Sequence, residues 1–139
     1  MFFTTVNAQS LTWPVITGVA FGYMNGTVEG MQTEFYAHGL KDEALSKRWH
    51  NLQYGRYASG VAVGFTLYDY SKGNLGKIVK CVMLQSAVFW IVNDMSYNIA
   101  RNRNVFYVSN QSGSFLEQFS HIGIKLIALS IAVLVNELF

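Results

Sequence analysis

The sequence predicts an all-α fold: a compact bundle of about four transmembrane helices joined by short loops. Three observations carry that expectation. Half of the 139 residues are apolar and only 13% are charged, about half the charged share usual in soluble globular chains. Proline occurs once, at Pro14, so no later helix is broken by one. The stretch Ile78–Ala100 is charged only at Lys80 and Asp94. At about 1.5 Å per residue it is long enough to cross a hydrocarbon core roughly 30 Å thick.

Met1–Ser10 has no basic n-region and too short an apolar run for a signal peptide, and reads as a short segment before the first helix. The first helix is expected over residues 14–38, with Thr12 as its cap, Pro14 in its first turn and Gly39 as its stop. Gly18, Gly22, Gly26 and Gly30 recur every fourth residue and form a ridge on which another helix can pack closely. Residues 40–56 read as a polar connector, partly helical, with Trp49, Tyr54 and Tyr57 as an aromatic belt beside it. The second helix is expected over 57–70, with Gly60 and Gly64 four apart, and Ser71–Asn74 as a turn. The third covers 78–100. The fourth, over 115–138, encloses Lys125 in its apolar run. All four belong to one domain, 1–139. A soluble four-helix bundle is the alternative, because the second run is short and the first is half polar.

The glycine ridges of the first two helices, Gly18, Gly22, Gly26, Gly30, Gly60 and Gly64, are similar to those of the mitochondrial inner-membrane protein-import family. That resemblance rests on these glycines and transfers no activity and no site residue. Lys41, Lys47, Arg48, Arg56, Arg101 and Arg103 fall in the first and third loops, against Lys72, Lys77 and Lys80 at the second. The positive-inside bias then puts loops one and three in the cytoplasm or matrix, with both termini on the other side of a bacterial or organelle inner membrane.

An acid within a span turns toward neighbouring helices. Trp90, Asp94 and Asn98 fall at i, i+4 and i+8 on one face, and Lys125 and Arg101 are the charge partners open to Asp94. Glu29 lies between Asn25 and Thr33 on a second polar stripe. Asp94, Glu29 and Asn98 are thus the candidate functional residues. In a structural role they hold the bundle in register. Glu34–His38 and Glu117–His121 are i, i+4 pairs, and with His50 they make a candidate ligand set for a divalent metal, Zn or Fe. Their spacing is one residue longer than the Glu-x-x-His of bundle di-iron sites. The competing reading of each pair is an ordinary same-face helical contact. Cys81 stands alone and forms no internal disulfide.

The function these features favour is a small integral membrane protein acting by association, as a homo-oligomer or an accessory subunit of a membrane complex, among membrane lipids. One alternative is a metal-dependent membrane hydrolase or lipid-modifying enzyme, with Asp94 as base. A second is a proton or ion pathway through Glu29 and Asp94. There is no Gly-x-Ser-x-Gly elbow, phosphate loop, Cys-x-x-Cys pair or His-Glu-x-x-His. The basic residues are dispersed and the net charge is +2, which gives nucleic acid no footprint.

Overall fold

The computed structural model describes residues 8–38, 42–108 and 122–138. These form four helices: α1 (Ala8–Ala37), α2 (Glu43–Ser71), α3 (Leu75–Ala100) and α4 (Ile122–Leu138). The chain is an all-α helical bundle. Among the described residues α3 is the one helix long and apolar enough to cross a membrane by itself, with a mean hydropathy of 1.6 over an 18-residue window.

Helix ends follow local chemistry. Asp42 caps α2 by accepting the Leu45 N–H at 2.8 Å, satisfying a donor the first turn leaves free. Lys72 ends α2 in the left-handed region, φ 46°, where its N–H reaches the Tyr68 carbonyl at 2.8 Å. Gly73 follows at φ 81°, a conformation that glycine adopts without steric cost. Asn74 then caps α3 by accepting the Lys77 N–H at 3.0 Å. This tight turn sets α2 and α3 antiparallel.

Three boundaries differ from those the sequence suggests. The polar stretch expected as a connector is helical from Glu43 onward, so α2 runs 29 residues in one piece. Its charges of both signs include a Glu43–Lys47 pair at 2.7 Å, one helical turn apart. Trp49 buries its ring beside Phe35 of α1, which anchors that polar half to the bundle. At the other end, α1 starts before Pro14, which falls in its second turn. Pro14 forfeits one backbone hydrogen bond there, and its buried ring packs in return. α3 begins at Leu75, three residues ahead of expectation. Residues 115–121, the expected start of the last helix, lie outside the described residues, as does Gly39.

α3 is the hub. It packs against α1, α2 and α4, and α1 also packs against α2. α1 and α3 run parallel in a fixed register, because Thr17 meets Gln85, Phe21 meets Phe89 and Asn25 meets Asn93, always 68 residues apart. Between these pairs the glycine ridge lies directly on the α3 backbone. A Cβ added to Gly22 would sit 2.9 Å from the Phe89 carbonyl oxygen, and one on Gly30 2.7 Å from that of Tyr97. At Gly26 it would run into the Asn93 carbonyl. Ridges four residues apart thus mesh on both helices. On the opposite flank of α3, Leu84, Ala87 and Val88 form the core with Ala132 of α4.

The contrast between two glycines tests this packing. Gly26→Ala forces the helices apart and is expected to destabilise by about 1–3 kcal/mol, the usual cost of overpacking. Gly64→Ala meets open space and is expected to be neutral or stabilising by up to about 1 kcal/mol. Thermal unfolding of both variants under identical conditions checks this; equal melting temperatures would rule out the close α1–α3 contact.

Candidate functional site

The polar side chains of this bundle gather into a seam along both flanks of α3. On the flank facing α1, Gln85 donates to Thr17 Oγ1 at 3.1 Å, and both residues are buried. One further contact up, Asn25 donates to Asn93 Oδ1 at 2.9 Å. Tyr97 then reaches Thr33 at 3.4 Å, and Arg101 closes the row by donating to Glu34 Oε1 at 2.7 Å and to the Tyr97 hydroxyl at 2.9 Å. The Glu34 hydrogen bond is the main reason the Arg101 guanidinium is held above its ordinary pKa, although burial pulls the other way. Thr17, Asn25, Asn93 and Thr33 have short side chains. They reach their partners because the glycine ridge brings the two backbones together.

On the flank facing α4, Lys125 is buried to 4% side-chain exposure. Its ammonium donates to Asp94 Oδ2 and lies 5.4 Å from the Trp90 ring centroid, within range of a cation–π attraction. Asp94 keeps about a third of its side chain exposed, so the pair is only partly desolvated. Asn98 turns one amide on two carbonyls, Val105 and Tyr107, each at 3.0 Å, and so folds the chain beyond α3 back against it. A cavity of about 20 Å³ lies between Asp94, Asn98, Tyr107 and Lys125, room for roughly one water. At the far end of α4, Asn136 donates to the Lys80 carbonyl at 3.2 Å and receives the Tyr70 hydroxyl at 3.4 Å.

Trp90, Asp94 and Asn98 therefore share a face, and of the two charge partners open to Asp94 it takes Lys125. Glu29 is exposed at the rim, and Thr33 engages its carbonyl rather than its carboxylate. Glu34 is committed to Arg101. The His38 ring is exposed and pairs with the Glu34 carbonyl at 2.8 Å. The exposed His50 ring pairs with the Ser46 carbonyl at 2.8 Å and stacks on Trp49. Among the described residues no three His, Cys, Asp or Glu side chains converge as a metal-ligand group. Glu117 and His121 lie outside the described residues.

Sequence reasoning passed over Thr17, Gln85, Asn93, Tyr97 and Asn136. A signal for four of them exists: Gln85, Asn93 and Tyr97 are spaced by whole multiples of four on α3, as is Thr17 from Asn25 and Thr33 on α1. The seam's contacts tie α3 to α1 and to α4, while Asn98 ties the chain beyond α3 back to that helix. No family model, curated protein or solved structure matches the chain.

A double-mutant cycle at Asp94 and Lys125 separates the pair's role from its cost. Lys125→Met alone strands the acid and Asp94→Asn alone strands the buried ammonium. Removing one partner of a buried pair costs about 3–5 kcal/mol, and the partial exposure of Asp94 places Lys125→Met at or below the lower bound. The double variant is expected to recover most of the loss in thermal unfolding; strictly additive losses would mean that the two charges do not interact.

Proposed function

We propose that this chain is a small membrane-embedded bundle that acts by association, as a homo-oligomer or an accessory subunit of a complex in a bacterial or organelle inner membrane. The observation that carries this reading is that large apolar side chains cover the outside of all four helices while a row of polar ones is buried beside the small apolar core. Ile16 and Tyr23 on α1, Val61 and Phe65 on α2, Val79 and Val82 on α3, and Ile127 and Leu134 on α4 are all exposed. Thr17, Gln85, Ser96, Asn98 and Lys125 are all buried. Water favours the opposite arrangement, and apolar surface this extensive marks contact with lipid or protein. In hydrocarbon the same arrangement is favourable, since polar groups there must find partners inside the protein.

The lengthwise pattern agrees. Residues 8–28, 57–68, 81–93 and 126–136 carry no charge. The antiparallel order of α2, α3 and α4 and the parallel pairing of α1 with α3 set these stretches side by side. Arg48, Arg56, Arg101 and Arg103 fall toward one end, and Lys72, Lys77 and Lys80 toward the other. An association surface is available in the outward row Tyr54, Tyr57, Val61, Phe65 and Tyr68 of α2, at helical spacing.

Alkaline carbonate extraction of membranes from expressing cells, followed by flotation, is the test. The chain is expected to stay with the floated membranes and, in mild detergent, to run as one species larger than its 15.6 kDa mass and detergent belt. Release into the supernatant as a monodisperse protein would overturn the membrane reading; a strict monomer with no co-purifying subunit would overturn association.

A further inference from the structure

We propose that the groove between α3 and α4 binds an anionic phospholipid, with one acyl chain in the groove and the phosphate beside Lys77 and Lys80. This rests on the membrane reading above. α4 is held to α3 by polar contacts at two levels, Lys125 with Asp94 near one end and Asn136 with the Lys80 carbonyl near the other. Between them lies an open space of about 310 Å³, lined by Met83, Ser86, Ala87 and Trp90 of α3 and by Ala128, Ile131 and Ala132 of α4. Three of those seven residues are alanines. Their small side chains leave a depression on the outside of the line where Ala87 and Ala132 meet in the core. An occupant there gives the lining atoms dispersion contacts they otherwise lack.

The dimensions select the occupant. Met83 to Trp90 covers about 10 Å of helix, and the depression along it is open on its outer side. A helix is roughly 10 Å across with its side chains, wide for a depression of that length. A single hydrocarbon chain is narrower, and it brings no polar group that would need a partner in a wall this apolar. Charge selects the headgroup. Lys80 stands one turn beyond Met83, and Lys77 one turn further on. Lys47, Lys72, Arg101 and Lys125 each hold a carboxylate, whereas Lys77 and Lys80 form no ion pair among the described residues. Two cations on the turns of α3 that follow the apolar groove match a phosphate carrying an acyl chain.

Trp90 in the groove wall supplies the readout. The full chain carrying Trp13→Phe and Trp49→Phe leaves Trp90 as the sole tryptophan, and it is placed in phosphatidylcholine vesicles containing phosphatidylglycerol or phosphatidylcholine brominated at mid-chain. Brominated phosphatidylglycerol is expected to occupy the groove preferentially and quench at lower mole fraction, by about fivefold for each lysine engaged. Lys77→Gln with Lys80→Gln removes the preference, and Ala128→Phe removes the added quenching by filling the groove. Where the loss of buried Trp49 prevents folding, the difference between the unaltered chain and Trp90→Phe reports the same contact. Equal quenching by the two lipids overturns the site while leaving the membrane reading standing. No quenching by either overturns both.

Discussion

The contact on which this structure depends is the one between the backbones of α1 and α3. Gly18, Gly22, Gly26 and Gly30 remove every Cβ from one face of α1 over more than three turns, and the α3 carbonyls of Gln85, Phe89, Asn93 and Tyr97 occupy the space. Other features follow from that distance. Asn25 and Asn93 have short side chains, and their hydrogen bond exists only because the helices are this close. The same closeness aligns Thr17 with Gln85 and stacks Phe21 by Phe89 at 5.1 Å between centroids. A slip of one residue would drive glycine-flanking side chains into the α3 backbone, so the ridge fixes register as well as separation.

α4 is attached by a different principle. It packs on α3, with one further hydrogen bond from Tyr70 of α2 to Asn136, and its outward residues Ile127, Ile131 and Leu134 are apolar. Apolar packing in lipid gives little preference for one helix orientation over another, since the lipid tails are as apolar as the side chains. Lys125 and Asn136 supply the missing specificity. A buried lysine is expensive to desolvate, and pairing it with Asp94 adds little net stability; what the pair defines is the rotation and height of α4 on α3. The α1 interface is specified by shape and the α4 interface by charge.

Much of this was legible in the chain. The glycine spacing on α1 announces a close helix contact, and Asp94 and Lys125, two charges inside apolar runs, announce each other because neither is tolerable alone. The partner of the glycine ridge was not legible, since α2 also carries glycines four apart. Gly60 meets the Phe21 ring edge and Gly64 meets nothing, so equal spacing gave unequal contacts. The first half of α2 was hidden because its mixed charges resemble a loop, while its helix depends on the Asp42 cap and on Trp49 being buried by α1. The histidines illustrate the reverse case. Glu34 and His38 keep the same-face contact their spacing suggests, at 3.7 Å, yet Arg101, 67 residues away, takes the other carboxylate oxygen at 2.7 Å, and no local pattern reveals such a distant partner.

One tension within the membrane reading has a physical resolution. Among the described residues α3 is the one helix both long and apolar enough to span, α4 being the most apolar but described over 17 residues, although each helix exposes large apolar side chains. Hydropathy averages a helix over its whole circumference, whereas lipid contacts only the outward arc. Thr17 and Asn25 lower the average of α1 while pointing at α3, where hydrogen bonds already satisfy them. Gln85, Asn93 and Asp94 do the same to α3, which passes only because Val, Ile and Phe fill the rest of its length. In this reading the helices enter lipid as a packed unit, because the seam's polar groups are tolerable there only once paired. The property that makes α1 a poor span by itself, its inward polar face, is then the property that commits it to α3.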